Sequence, residues 1–216
     1  QYSKTFIVYS FESWDTAVYI QSFLYTERKL LSMEITFLGT SCMVPTKQRN
    51  TSAHLITYRD ENILIDCGEG TQRQMVQTGI KPTKVTRILI SHWHGDHVLG
   101  LPGLLQTLGA FEYSGVLKIY GPEGSKEHVR KIMEAFVFDN KIEIEVIDIK
   151  ERIFVDEDRF YLEALPLDHG IPCIGFSFVE KDRRRIKIPY IKKIGIPEGP
   201  LLGKLQRGES IEFKGK

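Results

Sequence analysis

The length, composition and charge of the chain exclude several classes of protein. Of its 216 residues, 42% are hydrophobic and 26% are charged, which is typical of a globular domain rather than a disordered or fibrous chain. Lysine and arginine number 29 against 28 aspartate and glutamate residues, so the net charge of +1 excludes a basic, nucleic-acid-binding coat over the whole surface. No apolar run reaches the roughly 18 residues of a membrane span. Three cysteines without a CxxC pair favour a reducing, cytoplasmic compartment.

The first 32 residues differ from the rest of the chain because they are rich in aromatic residues and contain no methionine before Met33. Glu12 and Asp15 precede a poor apolar core, which argues against a secretory signal. We interpret residues 1–32 as an N-terminal extension of unknown role. The alternative is a docking helix for a partner, since residues 16–31 are compatible with an amphipathic helix.

From Met33 onwards, strands and helices can be predicted from periodicity and turn residues. Alternating or short apolar runs predict strands at 34–38, 52–58, 62–66, 87–91, 117–120, 142–148, 160–165 and 174–179. Helices are predicted at 71–79, at 100–111 and from Ser125 to about residue 136, with Thr71 and Ser125 as N-caps. The second and third strands are expected to form a hairpin. Strands that pair early and then alternate with helices predict a mixed sheet with helices on its outer face.

Four potential metal ligands follow directly on the apolar run at 87–91. In an extended segment His92 and His94 point the same way and can share one ion. Gly95 permits a tight turn that can direct Asp96 and His97 toward a second ion. Imidazole and carboxylate ligands suit Zn²⁺ best, with Mn²⁺ or Fe²⁺ possible.

A further imidazole, His169, lies in a loop between two predicted strands. It is a candidate third ligand for the ion of the first two histidines. We leave His54 and His128 out of the site because a strand and a helix turn explain them. Two ions would activate a bridging water and stabilise displacement at phosphorus or another tetrahedral centre, and Asp96 is best placed to orient that water and take its proton.

The segment 181–207 carries nine basic residues and two acidic ones, and glycines and prolines interrupt it. Such a segment is often a solvated loop. Lysines and arginines on a flexible arm can also neutralise phosphates without reading a base sequence.

Four segments together resemble a known family: residues 37–41, 66–71, 91–105 and 168–170. The pattern His-x-His-x-Asp-His is similar to that of the metallo-β-lactamase superfamily. Its continuation into Gly-Leu-Pro-Gly-Leu-Leu, with Asp-Cys-Gly-Glu-Gly-Thr upstream, resembles the ribonuclease Z family of tRNA 3′-processing endonucleases. The resemblance covers Met33 to about residue 216.

The resemblance implies an α/β (α+β) fold, a metallo-β-lactamase-like αββα sandwich that is incomplete at its C-terminus. Residues 33–180 would be its first half, 181–207 a basic flexible arm for tRNA binding, and 208–216 the start of the missing second half. The implied zinc ligands are His92, His94 and His169 for one ion and Asp96 and His97 for the other, with Asp96 also as the catalytic proton acceptor. Asp66 would be structural or would support the ligands.

The basic segment resembles the family's arm, which implies precursor tRNA as the partner, a homodimer and no membrane. The residues of the arm expected to bind RNA are Arg183, Arg184, Arg185, Lys187, Lys192, Lys193, Gly199, Pro200 and Lys204.

The chain departs from the family in one respect. A later bridging aspartate and a later histidine complete the family's site, whereas after His169 this sequence has no histidine and only Asp182 as an aspartate. Three explanations are open: a piece of a longer chain, a split or degenerate member that needs a partner, or a second half supplied by another polypeptide.

The expected function is therefore a zinc-dependent endoribonuclease that removes the 3′ trailer of precursor tRNA by attack of a metal-bound hydroxide, leaving a tRNA 3′-hydroxyl. Two zinc ions are expected per full-length subunit. The alternatives are another hydrolase of this fold that acts on small phosphodiesters or thioesters, and a truncated, non-catalytic RNA-binding member.

Overall fold

A computed structural model describes the fold for residues 5–8, 33–137, 141–181 and 186–213. The helix expected at 16–31 lies outside this part of the chain. The extension nevertheless contributes one strand, β1 (Thr5–Val8), which pairs antiparallel with the strand at Cys173–Glu180. The described part of the extension is thus joined to the sheet that follows.

Two β-sheets form the framework. The larger has six strands in the order β2 (Glu34–Gly39), β3 (Ala53–Tyr58), β4 (Glu61–Ile65), β5 (Arg87–Leu89), β6 (Val116–Gly121) and β7 (Glu143–Asp148). Strands β2, β3 and β4 pair antiparallel, and β4 to β7 pair parallel, with β4 belonging to both groups. The predicted mixed sheet and the β3–β4 hairpin are therefore confirmed. The smaller sheet is antiparallel, with the order β1, β10 (Cys173–Glu180), β9 (Phe160–Leu167) and β8 (Ile153–Asp156).

The helices connect these strands. They are α1 (Thr71–Gln77), α2 (Gly95–Val98), α3 (Leu101–Ala110), α4 (Ser125–Ala135), α5 (Ile188–Ile194) and α6 (Pro200–Arg207), with a 3₁₀ turn at Pro82–Lys84. Within the described part of the chain, none of them has the length and apolar character that crossing a membrane requires.

Alternation along the strands creates two hydrophobic cores. One face of the larger sheet packs with the helices, through residues such as Leu55, Leu64 and Leu104. The opposite face packs against the smaller sheet, where Ile56 and Phe178 belong to the same cluster. Helices on one sheet and two sheets face to face match the expected metallo-β-lactamase-like architecture.

The two predicted N-caps are wrong in detail. Gly70 and Gly124 cap α1 and α4 with positive φ values of 74° and 92°, a conformation that glycine adopts without steric cost. Thr71 and Ser125 are the first helical residues instead, and their hydroxyls donate to main-chain carbonyls of the preceding turn. Strand β8 and helix α2 were missed because four residues are too few for a clear period.

A close approach of two main-chain segments fixes the region before α3. The Gly100 amide donates to the Cys67 carbonyl over 2.9 Å, and a Cβ at residue 100 would lie 2.0 Å from the Gly68 carbonyl oxygen. Only glycine fits at this position because the obstacle is main chain rather than a flexible side chain.

We therefore expect Gly100→Ala to lower the free energy of unfolding by at least about 2 kcal/mol, since the overpacked turn must shift. Urea denaturation measures the loss. Gly203→Ala is the matched control, because its Cβ meets no atom nearer than 3.6 Å and alanine favours a helix. Equal stability of the two variants would contradict the close approach.

Candidate metal centre

The candidate ligands meet where the two sheets come together. Asp66 directly follows β4, and His92 lies three residues beyond the end of the parallel strand β5. His169 comes from the loop that joins β9 to β10 in the other sheet. The Ile174 amide donates to the Ser91 carbonyl over 3.0 Å, which fixes the two sheets to each other beside these residues.

Three imidazoles converge at this junction. One ring nitrogen each of His92, His94 and His169 lies within 4.8 Å of the other two. The ring centroids of His92 lie 4.8 Å from His94 and 4.6 Å from His169. His92 Nε2 is buried and finds no hydrogen-bond partner among the described residues. A buried imidazole nitrogen that faces two others is explained by a divalent metal ion, so the donor set fits one.

A second pair of side chains lies beside this triad. His97 Nε2 is 3.5 Å from Asp96 Oδ2, and both side chains are buried. The His92 and His97 ring centroids are 4.1 Å apart. Helix α2 carries Asp96 and His97, and His94 stands at its N-cap in extended conformation, so the tight turn expected at Gly95 is the start of that helix.

Asp66 orients two of these histidines. Its Oδ2 accepts from His97 Nδ1 at 2.6 Å and from the Ser91 hydroxyl at 2.9 Å, and its Oδ1 accepts from the Ser91 amide. The Ser91 hydroxyl donates its only hydrogen bond to Asp66, so its oxygen can only accept from His92. Nδ1–H of His92 therefore donates to Ser91 Oγ over 2.9 Å. The other ring nitrogen, Nε2, of both His92 and His97 then faces the centre as a candidate metal ligand.

The local electrostatics agree with this arrangement. Burial alone would raise the pKa of Asp66, but the nearby His97 and the hydrogen bonds from His97 and Ser91 outweigh it and hold that pKa below its usual value. Burial, assisted by His97, lowers the pKa of His92 to about 4. His92 is therefore neutral at physiological pH, the form in which imidazole binds a metal.

The two histidines left out of the site have other surroundings. His128 is exposed on α4 and stacks on Trp93, whose Nε1–H donates to Ser125 Oγ over 2.8 Å. Trp93 thus ties the segment between two candidate ligands to α4. His54 is buried in β3 with its ring edge against Phe37, and burial lowers its pKa.

The structure also reveals contacts that the sequence did not predict. The Met43 amide donates to Asp96 Oδ2 over 2.9 Å, and the Ser91 hydroxyl links Asp66 to His92. A main-chain amide carries no residue-type signal, so Met43 could not have been found. The position of Ser91, at the head of the histidine motif, was the only available signal for its role.

The basic segment includes two helices rather than an irregular loop over its described residues. Lys187 stands at the N-cap of α5, and Lys192 and Lys193 are in its last turn. Gly199 and Pro200 begin α6, and Lys204 lies within it. All four lysines are exposed. Arg183, Arg184 and Arg185, which were also expected to bind RNA, lie outside the described residues.

The family model described as Anti-Pycsar protein Apyc1 matches residues 33–143, slightly more than half of the chain. The chain belongs to this family. The match includes the His92–His97 motif and ends before His169 and the basic segment.

Curated relatives have a different name. Ribonuclease Z of Methanothermobacter thermautotrophicus is 43% identical over 176 residues, which are 82% of this chain and 57% of the relative. The chain spans less than two thirds of the length of the curated relatives that it matches. The resemblance to ribonuclease Z that the motifs indicated is confirmed.

Solved structures show the same fold. The short form of human tRNase Z is similar with a TM-score of 0.63 and 34% identity, over 69% of this chain and 66% of that one. The metallo-β-lactamase fold protein YhfI of Bacillus subtilis is similar with a TM-score of 0.57 and 21% identity, over 68% and 57% of the chains. The metallo-β-lactamase fold is therefore confirmed.

The depressed pKa of Asp66 predicts a specific acid sensitivity. A carboxyl whose pKa is lowered by folding stabilises the protein above its unfolded pKa of about 3.9, and this contribution is lost as the pH falls through the folded value. In chelator-treated protein, we expect the stability lost by Asp66→Asn to persist from about pH 7 to pH 5 and to shrink below about pH 4.

Urea denaturation across this pH range measures the difference between the two proteins. The exposed Asp158→Asn is the matched control and should follow the parent at every pH. A difference between the parent and Asp66→Asn that stays constant down to pH 2 would show that Asp66 is not ionised in the folded protein.

Proposed function

We propose that this protein is a zinc-dependent endoribonuclease that removes the 3′ trailer of precursor tRNA and leaves a 3′-hydroxyl on the tRNA. The observation that carries the proposal is the convergence of His92, His94 and His169, with the orphaned Nε2 of His92 facing the other rings. Relatives named ribonuclease Z supply the substrate class.

The side chains divide into two ligand sets in this proposal. His92, His94 and His169 would hold one zinc ion, and Asp96 and His97 would hold the other. When bound, such ions polarise a phosphodiester and make water more acidic. Mn²⁺ would serve with the same ligands.

The chain's own groups prepare the reaction. Asp66 keeps His97, and through Ser91 also His92, in the tautomer that presents Nε2. Asp96 orients the attacking water and accepts its proton while the bond between phosphorus and the tRNA 3′-oxygen breaks. The leaving oxygen becomes the 3′-hydroxyl, and the trailer keeps the phosphate.

The basic segment would hold the substrate. The exposed Lys187, Lys192, Lys193 and Lys204 on α5 and α6 would neutralise phosphates of a folded RNA, and the segment at Arg183–Arg185 would add to them. In a homodimer, one subunit's arm would reach the other subunit's site. The small number of cysteines, three without a CxxC pair, favours a cytoplasmic location.

Hydrolysis of a small phosphodiester is the second candidate. Two features of the family model favour it. The description of that model does not name a ribonuclease, and its match ends before the basic segment. A small substrate needs the metal ligands but not an RNA-binding arm, so the two candidates separate experimentally.

Replacement of the proposed proton acceptor tests the reaction. We expect Asp96→Ala to reduce precursor tRNA cleavage by at least about 100-fold, because a positioned base typically contributes that much. RNA affinity, measured by filter binding, should change far less. Asp60→Ala, in the β3–β4 turn at the other end of the strands, should cleave like the parent. Cleavage that survives in Asp96→Ala would refute its catalytic role.

Charge removal on α5 tests the substrate. The double variant Lys192→Ala/Lys193→Ala should bind precursor tRNA more weakly and with a salt dependence reduced by about one unit of slope per lost phosphate contact. Hydrolysis of a small aryl phosphodiester should be unchanged. Lys126→Ala/Lys131→Ala on α4 is the matched control. Unchanged RNA binding in the α5 variant would favour the small-phosphodiester candidate.

A further inference from the structure

Among the described residues, four non-glycine residues have positive φ values: Met43 (58°), Arg59 (59°), Asp66 (57°) and Glu112 (52°). Arg59 lies in the β3–β4 turn and Glu112 follows α3, where turns commonly require this conformation. Met43 also lies in a turn, in which the Val44 amide donates to the Cys42 carbonyl over 2.6 Å, but both Met43 and Asp66 lie at the candidate metal centre. Aspartate is one of the residue types that tolerate this conformation, and the Asp66 side chain accepts three hydrogen bonds there.

Packing of the Met43 side chain does not offset the energetic cost of its left-handed backbone. That side chain is 73% exposed. Its main-chain N–H donates to Asp96 Oδ2 over 2.9 Å, across 53 positions of sequence. An L-residue adopts this conformation at an energetic cost, and two main-chain groups offset it here: the Val44 amide, which donates to the Cys42 carbonyl, and the Met43 amide, which donates to Asp96.

The loop around Met43 is held in place on both sides. The amides of Thr40 and Ser41 both donate to the Asn50 carbonyl over 2.8 Å. The Ser41 hydroxyl donates to the Val44 carbonyl over 2.6 Å, and the Asn50 side chain donates to the Glu69 carbonyl. The amide that reaches Asp96 is thus part of a fixed turn.

We propose that the main-chain amide of Met43 is a positioning group for the Asp96 carboxylate, aimed at Oδ2 by the left-handed backbone. The inference rests on the proposed function, which makes Asp96 a metal ligand and proton acceptor. The same Oδ2 lies 3.5 Å from His97 Nε2, so the amide fixes the carboxylate rotation that brings these two ligand atoms together. The side chain at residue 43 has no part in this role.

Three substitutions at residue 43 separate the amide from the side chain. Met43→Gly and Met43→Ala keep the N–H, and glycine also removes the backbone strain. Met43→Pro lacks the N–H and requires φ near −65°. In zinc titrations of chelator-treated protein, we expect glycine and alanine to bind the second ion like the parent and proline to bind it about tenfold or more weakly.

Two controls show whether the proline acts through Asp96. Binding of the first ion, held by His92, His94 and His169, should be unchanged in Met43→Pro. In an Asp96→Ala background, Met43→Pro should cause no further loss of affinity. A loss of both ions in Met43→Pro, or an equal loss in Met43→Ala, would overturn the proposal.

A measurement without metal keeps this proposal separate from the proposed function. Hydrogen exchange should show the Met43 amide protected in the parent and about tenfold less protected in Asp96→Ala, because a hydrogen bond to a charged group is lost. An amide equally exposed to exchange in both proteins would overturn the positioning role. A parent that binds only one ion would be explained by the later aspartate and histidine that this sequence lacks, and the exchange measurement would then decide the role of Met43.

Discussion

The buried carboxylate of Asp66 is the constraint on which the centre depends. It is fully shielded from solvent and carries a charge, which is tolerated only because His97 and Ser91 saturate it with hydrogen bonds. Removing one partner of such a buried charge typically costs ~3–5 kcal/mol. The same bonds set the tautomers of His97 and His92, so one group provides both the stability of this turn and the direction of the ligand atoms.

The site also depends on how the two sheets pack. His92 and His94 follow a strand of the larger sheet, whereas His169 comes from the smaller one. The sheets are joined by their shared core and by a hydrogen bond from the Tyr58 hydroxyl to Glu180. A triad assembled from two sheets forms only when both have folded and docked, so metal binding reports on the integrity of the whole sandwich.

Much of the centre could be predicted because its residues are close in sequence. His92, His94 and His97 lie within six positions, where local geometry decides which way side chains point. The mixed sheet and the hairpin followed from periodicity. The link through Ser91 and the amide of Met43 could not be predicted, because they depend on tertiary contacts and on a φ value that residue type does not reveal. The helical caps failed for a similar reason, since a hydroxyl can bond to the preceding turn as well as cap a helix.

The central claim is that imidazoles from both sheets hold one divalent ion. Zinc titration of the chelator-treated protein, followed by calorimetry, tests it most directly when the parent is compared with His169→Ala. The account predicts that this single change, in the sheet opposite the histidine motif, abolishes tight binding of one ion while the protein remains folded. Unchanged affinity and stoichiometry in His169→Ala would contradict it.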